Sequence, residues 1–163
     1  MTSARPGDLE ALYRRRYGVF LRVATAIVGD EPLAADAVHD GFVRAVRHRR
    51  RFRGEGSLEA WVWRIVVNEA RKRRARERRL PTPSNNLLLA ACGRVESNGR
   101  GDDVRAVVAT LPERQRLVLF LRYYADLEYE AISEALDIAP GTVAATLHAA
   151  HAAIRKQLEE VFQ

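Results

Sequence analysis

The chain has 163 residues, room for one ordinary domain or two small ones and too few for most multi-step enzymes. With 47% apolar and 29% charged residues it can build a core, and 27 Lys/Arg against 21 Asp/Glu give a net +6 that favours polyanionic partners without specifying a fold. The single Cys92 excludes a disulfide framework or a cysteine-rich zinc site and suits a reducing interior.

Met1 to Asp8 lacks the basic-then-apolar order of a secretion signal, and no run of about 18 apolar residues occurs, so a soluble, cytoplasmic protein without membrane insertion is expected. Leu9, Leu12, Tyr13, Phe20, Val23, Ala24 and Ile27 recur at helical spacing, and Gly29 ends that helix. Pro32 suits the first turn of a second helix, whose stripe runs through Leu33, Ala37, Val38, Phe42, Ala45 and Val46. Phe52 to Gly56 is a glycine-punctuated loop, and Ser57 can cap a third helix carrying Trp61, Ile65 and Val66. That helix runs on into Arg71 to Arg79, where repeated arginine repels itself and should fray in the absence of a polyanion.

From Pro81 to Asp103 the composition turns to Pro, Ser, Asn and Gly, which reads as a flexible linker with one apolar island at Leu87 to Ala91. Beyond it, Val104, Val107, Val108 and Leu111 open a second helical module, and Pro112 starts a helix with Leu117, Val118, Leu121 and Tyr124 on its inner face. In Glu128 to His151, Ala131, Ile132 and Leu136 would pack on Val143 and Leu147, with Asp137 and Ile138 at the turn between. This is helix-turn-helix spacing. No alternating strand pattern appears, so the expected fold is all-α: two small helical domains, 8–79 and 104–163, joined by a linker at 80–103.

The charge divides unequally between the halves. Residues 1–79 hold 19 Lys/Arg and 10 Asp/Glu, whereas residues 80–163 hold 8 and 11. Two dense runs, Arg47 to Arg53 and Arg71 to Arg79, flank the segment with Trp61 and Trp63. Such runs are often solvated helix faces, but cations flanking aromatics suit nucleic acid, where cations supply affinity and rings supply stacking.

At this point the chain resembles the extracytoplasmic-function (ECF) sigma factors of bacterial RNA polymerase. Leu12 to Arg22, Asp36 to Ala45 and Phe52 to Ile65 with Asn68 resemble the family's region 2, and Leu111 to Tyr124 with the helix-turn-helix resembles region 4. The resemblance implies core polymerase, promoter DNA and an anti-sigma factor as partners. It assigns polymerase binding to Asp36, His39, Asp40, Phe42 and Arg44, with His39 where the family usually has Gln. Capture of the unpaired minus-ten strand falls to Arg53, Gly54, Glu55, Gly56, Ser57, Trp63, Arg64, Asn68, Arg71 and Arg74, while Trp61 is expected to lie mainly in the core. Minus-thirty-five readout falls to Thr142, Ala145, Thr146 and His148.

The second half departs from the family pattern. Ala144, Ala145 and Thr146 stand where the recognition helix usually carries Lys, Ser and Arg, and no Lys or Arg occurs between Ala139 and Ile154. Base readout and phosphate anchoring draw on such side chains, so weak minus-thirty-five reading is expected. Alternatively, the alanine face could meet a protein, or Thr, His and Ala could read thymine methyls. Ala139 also replaces the usual capping Ser, and Asp137 takes a turn position where Gly is usual, one that Asp tolerates.

No catalytic constellation is visible. His148 and His151 share a helix face, but no carboxylate or thiol completes a metal site; the loop FRGEGS lacks the Lys-Ser/Thr of a phosphate-binding loop. The expectation is therefore a non-enzyme without cofactor, metal or small-molecule substrate. Against the sigma reading stand a sigma-like decoy or activator-dependent regulator, and an autonomous helix-turn-helix repressor that leaves Asp36 to Ala45 unexplained.

Overall fold

The computed structural model describes residues 4–79 and 100–161, with the side chains of 100–102 left aside. The described residues form seven α-helices and one short 3-10 turn, and no strand. Leu87 to Ala91 and Cys92 lie outside the described residues.

Helix α1 spans Pro6–Val28 and ends at Gly29, whose left-handed backbone lets its N–H reach Thr25 O at 2.8 Å. Asp30 then caps α2 (Glu31–Arg47), its carboxylate accepting from Leu33 N at 2.9 Å. After the turn Arg49–Arg51, Ser57 Oγ accepts from Ala60 N and starts α3, Leu58–Glu77. These three helices wrap an aromatic centre. Phe20 stacks on Trp63 at 3.9 Å and meets Phe42 edge-on at 5.1 Å, and Phe42 in turn meets Tyr13 edge-on at 4.9 Å. Where α2 crosses α3, a Cβ on Gly41 would stand 2.7 Å from Val66 Cγ2 and 3.1 Å from Val66 Cα, so the two backbones approach where only glycine fits.

The second group comprises α4 (Arg100–Thr110), α5 (Glu113–Tyr123), α6 (Tyr129–Leu136) and α7 (Pro140–Val161). Helix α4 begins inside the stretch expected to be linker, continuing through Gly101 with Asp103 in its first turn, where a carboxylate suits the helix dipole. Arg116 is buried and closes the α4–α5 corner by donating to Ala109 O at 3.1 Å and Leu111 O at 2.7 Å. Burial, with Arg74 nearby, lowers the pKa of its guanidinium from the usual arginine value. In the helix-turn-helix, Ile132, Leu136, Val143 and Leu147 are buried as the spacing predicts, while Ala131 is only partly covered. Asp137 takes a φ of 55° and donates its N–H to Ser133 O, so the turn survives without glycine.

A linker leaves the placement of two modules open in sequence; here they are packed together. Helix α3 touches α6 about as extensively as it touches α1, and the buried apolar residues of both modules form one cluster. Arg16 of α1 pairs with Glu59 at 2.9 Å and also donates to Ala125 O in the corner after α5. The basic end of α3 is not left to repel itself, because carboxylates from α2 and α5 pair with it.

Candidate nucleic-acid interface

Helix α3 carries two faces. Ala60, Val62, Trp63, Val66, Val67 and Ala70 are buried against α1 and α2. At about 100° per residue, Trp61, Arg64, Asn68, Arg71 and Ala75 fall on one stripe on the other side. Along that stripe Arg64, Asn68 and Ala75 are exposed, and Trp61 and Arg71 half-exposed. At the N-terminal end of α3 the loop Arg53 to Ser57 is exposed throughout.

Two of the resemblance's assignments are corrected by burial. Trp63 is 0% exposed with its ring against Phe20, so it offers no face for a base and is a core residue. Trp61, expected mainly in the core, is partly buried against it and is the more accessible of the two indoles, its ring 5.7 Å from Phe52 beside the loop. The signal was present in the sequence: Trp61 is three residues from Arg64 and seven from Asn68, whereas Trp63 is in register with Val66, Val67 and Ala70. Phe42 is likewise 7% exposed between Tyr13 and Phe20, so its ring holds α2 on α1 instead of meeting a partner.

The stripe is bordered by two clefts. One, of about 400 Å³, is lined by Arg44, Ile65, Asn68, Glu69, Arg71, Lys72 and Ala75. Arg44 and Lys72 both reach Glu69 there, at 2.9 and 3.0 Å, so the Arg44 guanidinium is turned onto α3. The other, of about 650 Å³, lies between modules and is lined on one side by Glu55, Gly56, Trp61 and Arg64 and on the other by residues 133–139, except Ala135 and Leu136. Arg64 pairs with Asp137 at 3.2 Å, and Glu113 takes both Arg71 at 3.3 Å and Arg74 at 3.0 Å.

Asp36, His39 and Asp40 form an exposed patch on α2 at i, i+3 and i+4. Arg73, from the face of α3 turned to α2, reaches both carboxylates and anchors the patch. On α7, Ala145 and His148 are exposed and Thr142 and Thr146 half-buried; the Thr146 hydroxyl donates to Thr142 O at 2.6 Å. His151 pairs with Tyr123 Oη at 2.9 Å, and among the described residues no cluster of three or more His, Cys, Asp or Glu could hold a metal ion. No described helix is long and apolar enough to cross a membrane.

Comparison with known proteins gives this geometry a family. Residues 12–80 match Sigma-70 region 2 and residues 101–154 match Sigma-70 region 4. The chain therefore belongs to the sigma-70 family, in its ECF group, whose members bind core RNA polymerase and promoter DNA to initiate transcription. It is 30% identical to the RNA polymerase sigma-H factor of Pseudomonas aeruginosa, covering 88% of this chain and 82% of that one. To the ECF RNA polymerase sigma-E factor of Escherichia coli K12 it is 28% identical over 83% of this chain and 77% of that one. The fold is similar to that of CnrH, solved in complex with the cytosolic domain of CnrY (TM-score 0.69, 18% identity, 96% of this chain and 91% of that one). It is also similar to RpoE of Bartonella quintana, solved with the anti-sigma factor NepR (TM-score 0.67, 21% identity, 92% of this chain and 98% of that one).

Proposed function

We propose that this chain directs core RNA polymerase to promoters mainly through the minus-ten strand, held on the outer stripe of α3, and reads the minus-thirty-five element weakly. The observation that carries this reading is the stripe itself: one accessible indole, Trp61, in line with Arg64, Asn68 and Arg71, beside an exposed loop in which Arg53 has no ion-pair partner among the described residues. A melted strand presents bases that stack on an indole and phosphates that pair with arginine, and Asn68 can bond a base edge. Gly54 and Gly56, flanking Glu55 and followed by Ser57, let the loop backbone come close to an extruded base, and Arg74 adds a cation at the edge of the stripe.

The patch Asp36, His39 and Asp40, with Arg44 a turn further on, is assigned to the polymerase, buttressed from within by Phe42. Residues 8–79 act as region 2 and 104–163 as region 4, with 80–103 between them. On α7, Thr142, Ala145, Thr146 and His148 are the groups assigned to the minus-thirty-five element, and the Thr146 hydroxyl is engaged by its own backbone. Solved relatives hold CnrY or an anti-sigma factor, which supports an anti-sigma partner for this chain too. The protein works in the cytoplasm without catalysis of its own, cofactor or small-molecule substrate. Multi-round transcription with purified core polymerase on fragmented genomic DNA tests this: new start sites sharing a minus-ten motif are expected. Polymerase binding without any new start would instead mark a non-initiating regulator.

A further inference from the structure

Val66, Ala70 and Arg73 recur on α3 at i, i+4 and i+7, so Arg73 stands where the buried stripe turned to α2 would take another apolar residue. A charge in that register is costly to cover, and two acids of α2 meet it. Arg73 Nη2 donates to Asp40 Oδ2 at 2.5 Å, and Nη1 lies 3.6 Å from Asp36 Oδ2. The arginine side chain is 24% exposed, whereas those of Asp36 and Asp40 are 66% and 52% exposed, so the cation sits beneath the pair. Two carboxylates one helical turn apart repel each other when unpaired. Here one planar guanidinium spans them and takes one oxygen from each. Nothing else among the described residues pairs with either acid, which leaves both Oδ1 atoms to accept from outside.

We propose that Arg73 is a positioning residue for association with the polymerase: it fixes Asp36 and Asp40 as a pre-ordered pair of acceptors for cationic side chains of the partner. This rests on the assignment of the α2 patch to the polymerase. Charge alone makes the opposite prediction, because a cation beneath an acidic patch weakens the pull on a basic partner, and its removal should tighten binding. Positioning outweighs that loss, since side chains held in place beforehand do not have to be ordered on contact. The two-armed fork is what the role requires, for a point charge cannot hold two acids at once.

The test is association of the full, fluorescently labelled chain with purified bacterial core polymerase, without DNA, for Arg73→Met and Arg73→Lys. Methionine keeps an apolar stem on the core stripe and removes the charge; lysine keeps stem and charge but not the fork, and guards against a folding defect in the first variant. Arg73→Met is expected to bind about fivefold weaker, through faster dissociation with association no slower than native, a split that a merely displaced helix would not give. Arg73→Lys should fall between it and the native chain. Binding as tight as the native chain's, or tighter, in either folded variant overturns the proposal. Asp36→Asn with Asp40→Asn separates this from failure of the underlying reading. If that acid variant binds polymerase like the native chain, the patch assignment and the role of Arg73 fall together; if it binds weakly while Arg73→Met binds like the native chain, only the positioning is wrong. Arg73→Met added to the acid variant should cost nothing further, because no carboxylate is left to position, and a further loss as large as in the native background overturns the role by giving Arg73 a contact of its own.

Discussion

Trp61 and Trp63 stand two residues apart and so about 200° apart around α3, and that angle decides what each can do. Trp63→Ala should remove the ring stacked on Phe20 and cost about 3–5 kcal/mol in chemical denaturation, with loss of function following loss of fold. Trp61→Ala, which removes a ring only partly packed on the core, should cost clearly less stability than Trp63→Ala but weaken minus-ten strand binding by the worth of one stacked base, about 1–3 kcal/mol. Equal destabilisation by both would refute the division. Arg116 offers a second case at this scale. Its guanidinium satisfies Ala109 O and Leu111 O in a buried corner, so Arg116→Met should strand two carbonyls and cost about 1–3 kcal/mol, read as a lower melting temperature. The buried arginine was not legible from residue type, because its segment reads as an ordinary amphipathic helix; the indole's side lay in the spacing, but Trp61 with Ile65 also fits a core stripe and obscured it.

At the scale of elements the sequence was far more informative. Helix period placed α1, α2, α3 and the helix-turn-helix, and the stops and caps at Gly29 and Ser57 stand where the residue types put them, because capping is local chemistry between neighbours. What depends on distant partners was not legible. The arginine-rich end of α3 reads as self-repelling until Asp36, Asp40 and Glu113 are brought to it from other helices. Gly41 shows the same limit, for a glycine in mid-helix looks like a weakness until Val66 is seen against it. Gly41→Val should therefore push α2 off α3 and destabilise the first module by about 1–3 kcal/mol, a loss typical of overpacking, measured by denaturant titration. Because Asp36, His39 and Asp40 lie on the displaced helix, affinity for core polymerase should drop in the same variant. A variant as stable as the native chain would mean that α2 and α3 can separate freely at this crossing.

For the molecule as a whole, the unequal charge of its halves links packing to promoter choice. The first 79 residues carry 19 of the 27 basic side chains, so most phosphate-derived affinity must enter through region 2. Region 4 brings a net negative module to a polyanion, and its recognition helix α7 has no cation along Ala139 to Ile154 to offset that repulsion. With Thr146 engaged by its own backbone, the base-reading groups left near the start of α7 are Thr142, the Ala145 methyl and His148, fewer and weaker than the bidentate side chains that discriminate bases strongly. Scrambling the minus-thirty-five element of a template should then lower initiation by less than about threefold, below the roughly tenfold that even one good bidentate contact gives. Single changes in the minus-ten motif should cost about 1–3 kcal/mol each, a roughly fivefold to 150-fold drop. The complement tests the cause: Ala145→Arg places a cation on the exposed face of α7 and should create a dependence on the upstream sequence that the native chain lacks. Competitive transcription on paired templates measures both, and a native chain that already loses a hundredfold on the scrambled upstream element would show that α7 reads DNA without cations.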